Sequence, residues 1–391
     1  MKVLLVDVNC KYSSTGKIVY DLYTQLREEG HEAAICYGRG PLVEGKNIWR
    51  FSPTWEVYLH VILTRITGYT GRFSPIATRR LLKYIDKFQP DVVHLHDMHG
   101  YFVDIVPLIS YLKKNNIKTV WTQHCEFMYT GKCGYAYDCN KWQEKCSNCE
   151  RLKDYPKTEF FDKTDEMYDE KKNVMSDFKT LQLVAPSEWL AKRIKKSFMK
   201  DKKISVIYNG IDTSVFYRRN TDALRQKYGL TDEKVVLAVA PNLMSERKGG
   251  KYVIELARRM GSEKIKFFMI GVKKPLEIQE KNVFAEEIIS DQNLLAKFYS
   301  MADVFLICSE KENYPTTCVE AAACGTPVVG FNVGGTAETV SKNAGLFVEY
   351  GDIIALQSVT EKVLVEQREK YISKKNYSMY YMYKQYLELY K

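Results

Sequence analysis

Residues 303–340 read DVFLICSEKENYPTTCVEAAACGTPVVGFNVGGTAETV. Asp303 to Cys308 is a short apolar run, the length of a buried strand. A polar loop follows to Tyr314, and Pro315-Thr316-Thr317 opens a helix, where Pro suits the first turn and Thr offers a cap. Gly325 ends that helix, with Pro327 just beyond. Val328 to Phe331 is a second strand, ended by Gly334-Gly335. In open α/β sheets, ligands gather where strands run into helices. Two carboxylates stand at that place, Glu312 on the loop and Glu320 in the helix, with seven residues between them. The backbone from Asn313 through Tyr314, Pro315, Thr316 and Thr317 surrounds a helix start, where amide donors and the helix dipole favour an anion. A diphosphate at the helix end, with a carboxylate for each of two sugars, is the outline of a nucleotide sugar. A capped amphipathic helix with two solvated glutamates is the plainer alternative. The agreement of the flanking Pro, Gly and Ala elements favours a site.

The run E-N-Y-P-T-T-C-V-E-A-A-A-C-G-T-P-V-V resembles the Glu-x7-Glu signature of retaining family 4 glycosyltransferases, including those of the bacterial exopolysaccharide and colanic-acid type. The resemblance implies an α/β GT-B fold: two Rossmann-like β/α/β domains facing a central cleft, with a C-terminal helix crossing back to the first. It implies that Glu312 contacts the donor sugar and that Glu320 binds the nucleotide ribose. Residues 1–212 are expected to form the acceptor domain and 213–374 the donor domain. Residues from about 375 to 391 pack back on the first, and VIYNGIDTSVF resembles the junction.

Composition sets the outer limits. The chain has 391 residues, enough for two domains, with 45% apolar and 27% charged residues and a net charge of +10. The basic excess suits nucleotide phosphates, an anionic membrane or nucleic acid. The basic residues are spread and not striped, which disfavours nucleic acid. Strand-like sequence begins at Lys2 with no leader pattern, and no run is long enough to span a membrane, so a cytoplasmic location is expected.

Lys2 to Tyr37 reads as strand, helix, strand. The loop Asn9 to Lys17 has one glycine, Gly16, so a dinucleotide fingerprint is missing and an NAD-dependent oxidoreductase is disfavoured. The family resemblance places Ser13 to Gly16 beside the donor and acceptor. Residues 54–88 interleave aromatic, aliphatic and basic residues. They are either packed helices or a basic amphipathic surface at the inner face of a membrane, as in relatives with lipid-linked acceptors. Asp91 to Leu95 reads as a strand that runs on through His96, Asp97 and His99, and alternation puts His94 and His96 on one face with Asp97 opposite, so core and loop contacts are expected before a metal. His124 ends the next strand. It resembles the family's active-site histidine, with a structural histidine as the alternative.

Cys133, Cys139, Cys146 and Cys149 crowd a loop-rich insert at about 125–150, and the last two form a CxxC. A structural zinc, a disulfide pair and free thiols are the three readings; four thiolates leave no open position for catalysis. Residues 151–180 read as helical. In the second domain, Arg247-Lys248 precedes the helix that begins at Gly249-Gly250, and two cations at a helix start can cradle a diphosphate. Lys248 matches the family's lysine; Arg247 stands in for an arginine the family has earlier. No Asp-x-Asp occurs, so fixed cations and the helix dipole take the place of a metal at the leaving group. The expected function is transfer of a sugar from a UDP- or GDP-type donor to a glycan or lipid-linked acceptor. A sugar-nucleotide epimerase of the same fold is the alternative. The tyrosine-rich end, Tyr377 to Tyr390, reads as a packed helix.

Overall fold

The computed structural model describes residues 1–366 and 368–391. It divides into two units, Met1–Tyr208 with Met382–Lys391, and Asn209–Tyr381. In the first unit the elements are β1 Lys2–Asp7, α1 Ser14–Glu28, β2 Glu32–Tyr37, β3 Ile48–Arg50, α2 Thr54–Thr67, α3 Pro75–Phe88, β4 Val92–Leu95, α4 Ile105–Lys114, β5 Lys118–Thr122, α5 Thr164–Met175, β6 Leu181–Ala185, α6 Glu188–Ile194 and β7 Lys203–Val206. Its sheet has the order β3-β2-β1-β4-β5-β6-β7, with every neighbouring pair parallel. A parallel sheet needs a crossover for each pair and is buried on both faces, hence the unbroken apolar runs such as Val3 to Val6.

The second unit holds α7 Asp222–Lys227, β8 Lys234–Val239, α8 Gly250–Arg259, β9 Ile265–Ile270, β10 Val283–Glu286, α9 Gln292–Met301, β11 Val304–Ile307, α10 Thr316–Ala323, β12 Val328–Phe331, β13 Gly345–Val348 and α11 Ile353–Val365. Its six strands run β10-β9-β8-β11-β12-β13, again all parallel. Strand order reverses between β1 and β4 in one sheet and between β8 and β11 in the other, the two switch points of doubly wound sheets.

The last helix, α12 Met379–Tyr390, places its final residues in the first unit. There Tyr383, Tyr386 and Tyr390 are buried, while Tyr380 and Tyr381 are exposed. Tyr390 Oη lies 2.6 Å from His94 Nδ1, and Thr122 Oγ1 lies 2.8 Å from His94 Nε2. The aromatic spacing thus marks packing, and His94 is a core histidine.

Residues 151–180 are less helical than the sequence predicts. Only Thr164–Met175 forms a helix, because the chain before it is held by side chain to backbone bonds, including Lys132 Nζ to the Leu152 carbonyl at 2.6 Å. The cysteine insert also has an anchor that periodicity does not reveal. Phe127, Met128, Tyr129 and Trp142 belong to the main core of the unit.

Helix α2 is inverted. Glu56, His60 and Thr64, spaced by four, are buried, while Trp55, Tyr58, Ile62 and Ile66 are exposed. The Glu56 carboxylate accepts from the amides of Ile76 (2.8 Å) and Ala77 (2.9 Å), capping α3 from another helix. His60 meets Ser74 Oγ at 2.6 Å, and the Ser74 amide donates to Asp104 at 2.6 Å. Burial raises the Asp104 pKa to about 6; the Ser74 amide opposes this and the Glu56 charge adds to it. A raised carboxyl pKa contributes stability that is complete below the unfolded value near 4 and is lost as pH rises through 6. Asp104→Asn is therefore expected to stabilise the protein at pH 7 by roughly 1–3 kcal/mol and to change little at pH 4, read by urea unfolding at both. Equal effects at the two pH values would contradict this.

Candidate active site

The switch point of the second sheet brings Lys248 and Glu312 together. Lys248 lies in a single 3-10 turn, Glu246–Lys248, between β8 and α8; Glu312 lies between β11 and α10. The Lys248 ammonium forms an ion pair with Glu312 Oε1, and the Arg247 guanidinium lies 3.5 Å from the same oxygen. The two loops are also joined through backbone: the Glu310 amide donates to the Arg247 carbonyl at 2.9 Å, and Arg247 donates to the Lys311 carbonyl at 3.1 Å. Glu312 is only 6% exposed. Burial alone would raise its pKa, but Lys248 and Arg247, with a Ser309 hydrogen bond, outweigh burial and hold it below the usual carboxylate range. Two cations thus face one buried carboxylate.

Two glycines permit this approach. Gly249 has φ +68°, and a Cβ there would stand 2.1 Å from the Cys308 carbonyl oxygen. Gly334 has φ +58°, and a Cβ there would stand 1.7 Å from the Glu312 carbonyl oxygen. A side chain at either position would push its loop off the switch point.

Helix α10 begins beside Glu312. Pro315 is its N-cap residue, outside the first turn, and no side chain caps the helix, so the predicted threonine cap does not form. The first amides of a helix have no partner within it and face outward at its positive end. Asn313 and Tyr314, just before it, are buried. Glu320 lies in the body of α10, and its Oε2 accepts from the Tyr299 hydroxyl at 2.9 Å. Tyr299, on α9, escapes sequence reasoning because only packing brings α9 against α10.

In the first unit the corresponding switch point lies between β1 and β4. Ser13 caps α1, accepting from the Gly16 amide at 3.2 Å, and Gly16 packs against the Asn9 backbone. Asp7 ends β1, and its Oδ1 accepts from the Asp97 amide at 3.0 Å. His124 follows β5, with its Nε2 3.1 Å from His96 Nδ1. Burial lowers the His124 pKa, with Asp97 opposing, so the ring is neutral near pH 7. Asp97 and His99 do not join His94 or His96. They meet Cys125 instead, and one ligand atom from each of the three lies within 4.8 Å of the others. Burial opposes charge on His99, but the Cys125 thiol and Asp97 outweigh it and raise its pKa well above the usual range. Cys125 was missed by sequence reasoning; its one signal is its place next to His124 at a strand end. A cavity of about 720 Å³ between α4 and α5 holds none of these groups.

Residues 15–215 match the family model described as "Glycosyltransferase Family 4", and residues 220–379 match "Glycosyl transferases group 1". The chain belongs to glycosyltransferase family 4. It is a glycosyltransferase, and the oxidoreductase reading is set aside. A curated relative is the "Putative colanic acid biosynthesis glycosyl transferase WcaC" of Escherichia coli (strain K12), 22% identical over 384 residues, covering 94% of this chain and 92% of that protein. Among solved structures, sucrose-phosphate synthase from Thermosynechococcus elongatus matches with a TM-score of 0.69 at 16% identity, covering 100% of this chain and 98% of that one. Anabaena Alr3699/HepE in complex with UDP-glucose matches with a TM-score of 0.67 at 16% identity, covering 99% and 98%. These likenesses establish the two-domain α/β glycosyltransferase fold, GT-B.

Proposed function

We propose that this family 4 enzyme is retaining and metal-independent, and that it moves a hexose from a UDP- or GDP-type nucleotide sugar to a glycan or lipid-linked glycan in surface polysaccharide assembly. The observation that carries the reading is the Lys248–Glu312 pair across the switch point, with the start of α10 and Glu320 alongside. Lys248, Arg247 and the amides of Tyr314, Thr316 and Thr317 take the diphosphate. Glu312 accepts from hydroxyls of the donor sugar, and Glu320 from those of the ribose. The bond from the sugar C1 to the phosphate oxygen breaks, and its electron pair leaves on the diphosphate, where fixed cations stabilise it. The acceptor oxygen bonds to C1 on the same face, and its proton goes to the departing phosphate. Gly16 takes part in binding the donor, and His124 acts in catalysis near the donor sugar as a neutral hydrogen-bond donor. The name of the WcaC relative supports the polysaccharide setting, and UDP-glucose on Alr3699/HepE supports the donor class.

The direct test offers UDP-, GDP- and ADP-sugars with lipid-linked glycans and reads the products by mass spectrometry. A glycan longer by one sugar is expected. An epimerised or free sugar with the acceptor unchanged would refute transfer. For the donor site, Glu320→Ala is expected to weaken nucleotide-sugar binding roughly 10- to 100-fold in calorimetry, the worth of hydrogen bonds to a charged group. Unaltered affinity would remove Glu320 from the ribose.

We also propose that α2 meets an anionic membrane. Trp55 and Tyr58 are 57% and 67% exposed, on a face with Leu59, Ile62 and Ile66, and the basic Arg65, Arg79, Arg80 and Lys83 are exposed on α2 and α3. A helix that buries its polar side and presents apolar side chains beside cations suits a lipid interface. Among the described residues no helix is long and apolar enough to cross a membrane. Flotation with phosphatidylglycerol vesicles is expected for the native protein and is expected to fail for Trp55→Ser/Ile62→Ser. Equal flotation of both, or none with either, would exclude this face.

A further inference from the structure

We propose that Cys133, Cys139, Cys146 and Cys149 bind a structural zinc ion that closes the long loop between β5 and α5. From 123 to 163 the chain has a single 3-10 turn, Lys141–Gln143, as regular structure. A loop of this length without an element of its own calls for a staple. Hydrophobic anchors hold part of it, but the stretch from Gln143 to Tyr155 contributes little to the core. The spacing is Cys-x5-Cys-x6-Cys-x2-Cys, and all four side chains line one cavity of about 270 Å³. None is in a disulfide, and the Cys133 and Cys149 thiols are hydrogen-bonded to each other.

Backbone amides and two buried lysines fix the residues around the cavity. The Gly131 amide donates to Cys146 Sγ at 3.1 Å, and the Arg151 amide donates to Cys149. Hydrogen bonds from backbone amides favour the charged form of the acceptor. The Cys149 amide in turn donates to Asp162 at 2.6 Å, and Asp162 also accepts from the Thr164 amide at 2.9 Å, tying the CxxC to the start of α5. Two buried lysines also hold this loop. Lys132 Nζ donates to the carbonyls of Arg151, Leu152 and Asp154, and Lys171 Nζ to those of Phe127, Thr130 and Gly131.

The thiols surround the cavity without forming the tight cluster seen at Asp97, His99 and Cys125, so binding draws them together. Soft thiolates in a set of four select a tetrahedral ion such as zinc, and four protein ligands make it structural. The site is independent of the glycosyl-transfer reading.

The test is metal analysis of the full-length protein purified without chelators. One equivalent of zinc per chain is expected. Cys146→Ser/Cys149→Ser is expected to lose it, and Cys318→Ser, outside the cluster, to keep it. Should the double variant fail to fold, the wild-type protein supplies the answer: a mercurial thiol reagent is expected to release zinc as the thiols react. Cobalt exchanged into the site is expected to give the visible bands of tetrahedral thiolate ligation. Protein that takes up neither metal would overturn the proposal, as would an intact mass showing a Cys133–Cys149 disulfide.

Discussion

Lys248→Ala is expected to lower kcat by about 100- to 1,000-fold, the usual effect of removing one fixed group that stabilises a developing negative charge. The reasoning starts from the switch point. Lys248 is held between β8 and α8 and reaches Glu312 across the order reversal of the sheet. It is then in place before the leaving diphosphate gains charge, so no reorganisation accompanies the reaction. The same change strips buried Glu312 of its nearer cation, leaving Arg247 at 3.5 Å. Some loss of stability should accompany the loss of rate. The two effects separate by experiment. Lys251→Ala removes an exposed charge from the first turn of α8, just after Lys248, and is expected to leave kcat unchanged. Steady-state kinetics at a temperature where Lys248→Ala is still folded then isolates the chemical effect. A folded Lys248→Ala enzyme with native kcat would remove this residue from the mechanism. Acid should weaken the same contact. Glu312 has a depressed pKa, so its contribution is present above the unfolded value and is lost as pH falls through the folded one.

Arg193→Met is expected to destabilise the protein by about 3–5 kcal/mol, the cost of leaving one partner of a buried ion pair alone. Arg193 Nε donates to Glu126 Oε1 at 2.5 Å, and the Glu126 side chain is 1% exposed. Glu126 also accepts from the Tyr129 hydroxyl at 2.8 Å and the Ala136 amide at 2.7 Å. Arg193 stacks over Trp142, with 4.6 Å from its guanidinium carbon to the ring centroid. The pair therefore joins α6 to the cysteine-bearing loop. Because the cost comes from the stranded carboxylate, Glu126→Leu/Arg193→Met is expected to recover a large part of it. Denaturant unfolding of the two single variants and the double variant gives the coupling directly. Additive losses would mean that the side chains act separately.

Much of this protein can be read before it is folded. The run from Asp303 to Val340 yields its strand, loop, helix and strand because each element is short and its boundaries are marked by Pro and Gly. Glu312 and Lys248 stand out for the same reason, since each sits at a strand-to-helix junction that local sequence reveals, and Glu320 stands on the helix that follows one. What escapes is whatever depends on distant chain. Nothing near Glu56 announces that its carboxylate caps α3, and the inverted burial of α2 follows from that contact. Cys125 meets Asp97 and His99 only because β4 and β5 are neighbours in the sheet. Tyr299 reaches Glu320 across two helices. The overlong helix expected at 151–180 has a similar cause. Charged residues there suit a helix by propensity, but Lys132, from earlier in the chain, takes the carbonyls of Arg151, Leu152 and Asp154.

The most direct test of the donor site is amide hydrogen exchange of the full-length protein, with and without saturating UDP- or GDP-sugar. Slower exchange is predicted at 246–250 and 312–320, the two loops and the start of α10. Donor binding that leaves those amides unchanged and protects others in their place would contradict the account.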